Sequence, residues 1–117
     1  MALTLFILND PPYGTERSSN GLRLAGNIAK REGEQVRVFL MGDAASCAKK
    51  GQKVPNGYYN LESMIKAVVN KSAPVAVCGT CMDARGISEE ELAEGCHKST
   101  LGELGDWTIE ADKVLIF

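Results

Sequence analysis

Cys78 and Cys81 are separated only by Gly79 and Thr80, and Arg85 follows four residues later in the stretch Met82-Asp83-Ala84-Arg85-Gly86. A thiolate is a nucleophile toward sulfur, a thiol pair three positions apart exchanges disulfides, and both require an ionised sulfur. Backbone N–H groups of the glycine-containing turn, together with the fixed charge of Arg85, lower a thiol pKa in such a loop, while Asp83 opposes them. The plainer reading, in which Cys78 packs as a small hydrophobe, stays open beside the reactive one. Two thiols also make half of a zinc site, and Cys96 and His97 are the only further soft donors nearby. On a strand those two neighbours would point to opposite faces, so both reaching one ion is disfavoured. Cys47 lies on the apolar side of its segment and reads as packing. The roles of Cys96 and of His97, the single histidine, are left undetermined by the sequence.

Elements that would position these groups can be followed along the chain. Leu3–Leu8 is nearly continuous apolar, as in a strand covered on both faces. Asp10-Pro11-Pro12-Tyr13-Gly14 ends it. Gly21, Leu24, Ala25 and Ile28 then recur at helical spacing, with Ser18 or Ser19 as N-cap and Gly33 as the stop. Gly14, Thr15, Ser18 and Ser19 resemble a phosphate loop only weakly, because neither GxxxxGK[ST] nor GxGxxG occurs.

Val36–Met41 predicts a second strand, and Asp43 a cap for a short helix with Ala44, Cys47 and Ala48 on one side. Asn60 predicts the cap of a helix that buries Leu61, Met64, Ile65 and Val68. Pro74–Val77 predicts the third strand, with the thiol loop at its exit and the next helix start only near Ser88. Ser88 with Glu91 and Thr100 with Glu103 have capping-box spacing. Leu101, Leu104 and Trp107 are available to pack the second of these helices. Cys96–Lys98 is a possible edge strand, and Lys113–Phe117 reads as a last buried one with Phe117 in the core.

Alternating strands and helices predict a single α/β domain over residues 1–117: a three-layer α/β/α sandwich around a mostly parallel sheet of about five strands. Such sheets bind ligands beyond the carboxyl ends of their strands, where the thiol loop falls.

Composition narrows the function classes. A chain of 117 residues needs neither disulfide nor metal to hold a core. A net charge of -2 offers no footprint for nucleic acid or an anionic membrane. The Leu3–Leu8 run is too short to span a bilayer and no basic region precedes it, so the expected location is the cytoplasm, where thiols stay reduced.

Several segments together resemble the DsrE/DsrF/TusD superfamily, and its YchN-like branch in particular, over essentially the full length. They are Pro12-Tyr13-Gly14, Phe39-Leu40-Met41-Gly42-Asp43-Ala44, Gly51-Gln52-Lys53, Gly57-Tyr58, Cys78 through Ile87, and the close from Leu104 through Trp107-Thr108 to Ala111–Phe117. The resemblance implies an α/β/α sandwich assembled into homotrimers or homohexamers, for which the Tyr58-Tyr59 pair is a candidate contact. It also implies a sulfur relay in which a cysteine persulfide is carried at the position of Cys78, ahead of Arg85-Gly86, with other relay proteins as partners. Cys81 matches a second cysteine of the YchN-like branch that many sulfur carriers lack. A persulfide on Cys78 would be open to attack by Cys81 with release of sulfide. The resulting reading takes Cys78, Cys81 and Arg85 as site residues, with no cofactor and no metal, in a sulfur carrier or sulfurtransferase-like protein. Its rivals are an oligomeric binding module with structural cysteines and a dithiol redox or metal-binding protein.

Overall fold

The N-terminal apolar run acquires two neighbours. In a computed structural model describing residues 2–117, β1 (Ala2–Leu8) pairs in parallel with β2 (Glu34–Leu40) on one side and β5 (Lys113–Ile116) on the other. β2 pairs with β3 (Val75–Cys78), and β3 with β4 (Cys96–Ser99). The order is β4-β3-β2-β1-β5, and every pairing is parallel. Parallel neighbours need crossovers. The chain supplies them as α1 (Arg17–Ala29), α2 (Leu61–Val69), the short α3 (Gly79–Ala84) and α4 (Leu101–Glu110), with 3₁₀ turns at Gly42–Ala48 and Glu89–Glu91. No helix among the described residues is long and apolar enough to cross a membrane.

The two faces of the sheet are covered unequally. On one, Phe6, Leu8, Val38, Leu40 and Val77 meet Leu22 and Ala25 of α1, Leu61, Ile65 and Val68 of α2, and Met82 of α3. On the other, Leu5, Ile7, Phe39 and Ala76 meet only Leu104 and Trp107 of α4. Topology explains this asymmetry. β4 and β5 are opposite edges, about 19 Å apart at ~4.8 Å per strand spacing. α4, ten residues long, reaches about 15 Å at 1.5 Å per residue, so it must cross most of that face by itself.

Local departures from expectation have local causes. α1 is entered from Glu16, and the Ser18 and Ser19 hydroxyls donate to the carbonyls of Asp10 and Glu16 rather than capping the helix. Its buried stripe uses Leu22 with Ala25, and Leu24 is exposed. A Cβ on Gly21 would meet Leu8 Cδ2 at 2.6 Å, so the helix rests on that glycine and turns Leu24 outward. Gly42–Ala48 is 3₁₀ with Met41 at its N-cap, and Asp43 lies inside it. Asn60 and Thr100 do cap α2 and α4 through their side chains, and the Ser88–Glu91 capping box opens one 3₁₀ turn. β5 is an exposed edge rather than a buried strand, although Phe117 stacks on Phe6 with centroids 6.1 Å apart. Leu101 stays exposed at the head of α4, where no element lies over it.

Candidate functional site

β3 ends at Cys78, and α3 begins at the next residue rather than after a long loop near Ser88. Cys78 is itself the N-cap: its Sγ accepts the Cys81 N–H at 3.4 Å, in the role an Asp or Ser oxygen usually plays. The Thr80 hydroxyl lies 3.4 Å from the same sulfur. Glycine at position 79 is dictated by packing, since a Cβ there would stand 2.7 Å from the Ser99 carbonyl and 3.1 Å from Lys98 Cε. That close approach lets the start of α3 lie directly against the end of β4.

The two thiols face different surroundings. Cys78 follows Ala76 at period two and so packs on the α4 side with Phe39, whereas Cys81 packs toward the α1/α2 side. The Gly42 amide, at the exit of β2, donates to Cys81 Sγ at 3.2 Å. Burial pushes the Cys78 thiol up, but hydrogen bonds from the Cys81 thiol, the Thr80 hydroxyl and their amides outweigh it, leaving Cys78 below the ordinary thiol value. Cys81 is raised, first by burial and then by donating its S–H to Cys78, despite the Gly42 amide and the Arg85 charge. The two thiols are therefore pushed in opposite directions, Cys78 below and Cys81 above the ordinary thiol value.

Arg85, the C-cap of α3, gives its hydrogen bonds to groups other than the Cys78 sulfur. Its Nε and Nη2 donate to Asp43 Oδ1 at 3.2 and 2.7 Å, and its Nη1 to the Cys81 carbonyl at 3.1 Å. It acts on the second cysteine and ties α3 to the Gly42–Ala48 turn. The cation that shares a cavity with Cys78 is one that sequence reasoning missed: Lys98, paired with Asp83 at 2.9 Å. Both line a cavity of about 610 Å³ together with Cys78, Cys81, Phe39, Met41 and Leu101. Period-two spacing of Phe39 and Met41 was the available sequence signal. It could not say that α4 would bury Phe39 against Trp107 and leave Met41 half-exposed at the cavity.

Other candidates lie apart from this site. Cys47 is fully buried, and burial pushes its thiol up to about 12. Cys96 points to the α1/α2 side and is pushed up to about 11 by burial. His97, its neighbour, points to the opposite face, where its ring meets Trp107 edge-on and Nε2 lies 2.6 Å from Glu103 Oε1. Ser99 donates to the same carboxylate oxygen at 2.5 Å, so Glu103 pins the end of β4 to α4. Among the described residues no three His, Cys, Asp or Glu side chains group to hold a metal ion. Tyr58 and Tyr59 are exposed, in a loop remote from the thiols in sequence.

Comparison with known proteins settles the lineage. The profile of the DsrE/DsrF-like family matches residues 3–117. The chain belongs to that family. It is 44% identical over 120 residues to Protein YchN of Escherichia coli strain K12, covering all of both chains. An uncharacterised protein of Methanopyrus kandleri is 38% identical over 111 residues, covering 95% of this chain and 90% of that one. The crystal structure of the YchN protein from E. coli superposes with a TM-score of 0.94 at 42% identity, covering all of both chains. A protein of unknown function from Methanobacterium thermoautotrophicum, at 15% identity and a TM-score of 0.75 over all of both chains, shares the fold. The predicted α/β sandwich and the family resemblance are both met.

Proposed function

We propose that this DsrE/DsrF-like chain handles sulfane sulfur, with Cys78 as the atom that receives it. The observation that carries this reading is the half-exposed Cys78 sulfur, held as an N-cap acceptor with its pKa lowered, at a cavity open to small molecules. The Cys78 thiolate attacks the outer sulfur of a donor persulfide, R–S–SH. The donor S–S bond breaks, R–S⁻ leaves, and Cys78 becomes a persulfide. Cys81 then has two roles open to it. As a thiol it shields and hydrogen-bonds the adduct, so that sulfur passes on to an acceptor thiolate. As a thiolate it attacks Cys78 Sγ, expels HS⁻ and closes a Cys78–Cys81 disulfide. In that branch the two protein thiols lose two electrons, the sulfane sulfur gains them, and a reducing dithiol must reset the pair.

The test is intact mass after incubation with a persulfide donor. Wild type is expected to gain one sulfur atom, Cys78→Ser none, and Cys81→Ser to hold its adduct longer if the disulfide branch operates. A wild type that never gains sulfur from any donor refutes the reading. The N-cap position of Cys78 also favours plain dithiol exchange, and formation of the disulfide with oxidised glutathione but no sulfur uptake would select that instead.

We further propose that the protein self-associates. Support comes from Ile109 of α4 and Ile116 on the edge strand β5, 85% and 68% exposed. Light scattering coupled to size exclusion checks this, and a strictly monomeric species overturns it.

A further inference from the structure

Resting on Cys78 as sulfur acceptor, we infer that the site selects organic sulfane donors with an apolar body over inorganic ones such as thiosulfate. The cavity at Cys78, about 610 Å³, is large for a bare sulfur anion and of a size for a small organic molecule. Phe39, Met41 and Leu101 form its apolar wall. Its one cationic lining side chain, Lys98, is already neutralised by Asp83 at 2.9 Å. Arg85, the other cation of the loop, is not in the lining and is engaged by Asp43. A dianion entering this space would shed water without gaining an unpaired positive partner. An aryl or alkyl group would instead cover Leu101, which is 75% exposed, and the half-buried Met41 at the exit of β2.

Three donors separate these contributions because they deliver sulfur by the same step. Cys78–S⁻ attacks the outer sulfur of benzenethiosulfonate, methanethiosulfonate or thiosulfate. The S–S bond to the sulfonyl or sulfonate sulfur breaks, and benzenesulfinate, methanesulfinate or sulfite leaves with its electron pair. In each case Cys78–S–S⁻ is formed and the total charge is unchanged. Rates of sulfur uptake by intact mass, each divided by the rate of the same donor with free cysteine, remove the intrinsic difference between leaving groups.

The expected order is benzenethiosulfonate, then methanethiosulfonate, then thiosulfate. About 55 Å² of additional contact by the phenyl ring corresponds to roughly a tenfold preference over methyl. In Leu101→Asn that preference, read as the ratio of the two donors' normalised rates within the variant, is expected to shrink several-fold. A normalised thiosulfate rate equal to or above the benzenethiosulfonate rate overturns the selectivity and leaves sulfur handling intact. So does a phenyl preference that Leu101→Asn fails to reduce. Uptake from none of the three donors by wild type overturns the underlying function itself.

Discussion

The two faces of the sheet are made from the same kinds of residue, yet they treat sulfur in opposite ways. Beneath α1 and α2, burial pushes the thiol of fully buried Cys47 up to about 12 and that of half-buried Cys96 up to about 11. On the α4 side, Cys78 is only half buried and sits below the ordinary thiol value. Cys47 donates its S–H to the Asp10 carbonyl at 3.7 Å, whereas Cys78 accepts the Cys81 N–H. Coverage differs as well. Two helices and a 3₁₀ turn cover one face, whereas the other is crossed by one helix whose exposed first residue, Leu101, lies at the cavity beside Cys78. Reactivity is thus placed where the topology runs out of helix.

The sharpest way to break this comparison is alkylation of the folded protein at neutral pH, followed by mass mapping. Thiolate fractions expected from a Cys47 value near 12 and a Cys78 value below 9.0 differ by at least about a thousandfold, before access is counted. Comparable labelling of Cys47 and Cys78 would erase the contrast.

Stability should divide along the same line. Ile65→Ala on the sealed face is expected to cost about 2–5 kcal/mol in denaturant unfolding, as for a fully buried aliphatic side chain. Leu101→Ala on the open face should change it by no more than about 0.5 kcal/mol. At the junction of the faces, Gly79→Ala is expected to lose about 1–3 kcal/mol although alanine favours helix, because the new methyl meets the Ser99 carbonyl. A stabilised Gly79→Ala would mean that α3 and β4 are not in contact.

Acid provides a smaller probe. Glu62 is pushed up by burial, but the Gln52 amide, Lys66 and the Gly51 amide more than offset this and hold it below the usual carboxylate value of 4.5. Glu103 is pushed up by burial and likewise ends lowered, by Ser99 and His97. A depressed folded value means that the unfolded chain binds protons first as pH falls. These carboxylates therefore stabilise the fold fully above the usual carboxylate range and lose that contribution as pH drops through their lowered values. Glu62→Gln is expected to flatten the acid limb of a stability–pH curve. The smallest expected effect is on Cys78 itself. Cys81→Ala removes the S–H donor, so the pH midpoint of Cys78 alkylation should move up toward that of an ordinary thiol.

Much of this was readable in the chain because it is local. Asn60 and Thr100 announce helix starts through side-chain caps, and Leu3–Leu8 announces a strand with cover on both sides. Cys78, Cys81 and Arg85 were identifiable as a group from spacing, and the structure brings all three onto β3 and α3. The start of α3 was missed because a cysteine N-cap carries no conventional signal. Arg85 as a partner for Cys78 rested on proximity along the chain. In space Asp43, 42 residues away, takes the guanidinium.

Residue order alone settled the strands, the three longer helices with most of their caps, the family pattern and the pair of thiols. These follow from backbone sterics, periodicity and hydrogen bonding within a few residues. Strand order, and with it everything that touches the thiols from elsewhere, belonged to the tertiary structure. Only the placement of β4 and β5 at opposite edges sends α4 across most of a face, buries Phe39 while leaving Met41 half-exposed, and brings Lys98 and Ser99 to the cavity. Such pairings depend on which distant surfaces bury together, and no short window of sequence contains both partners.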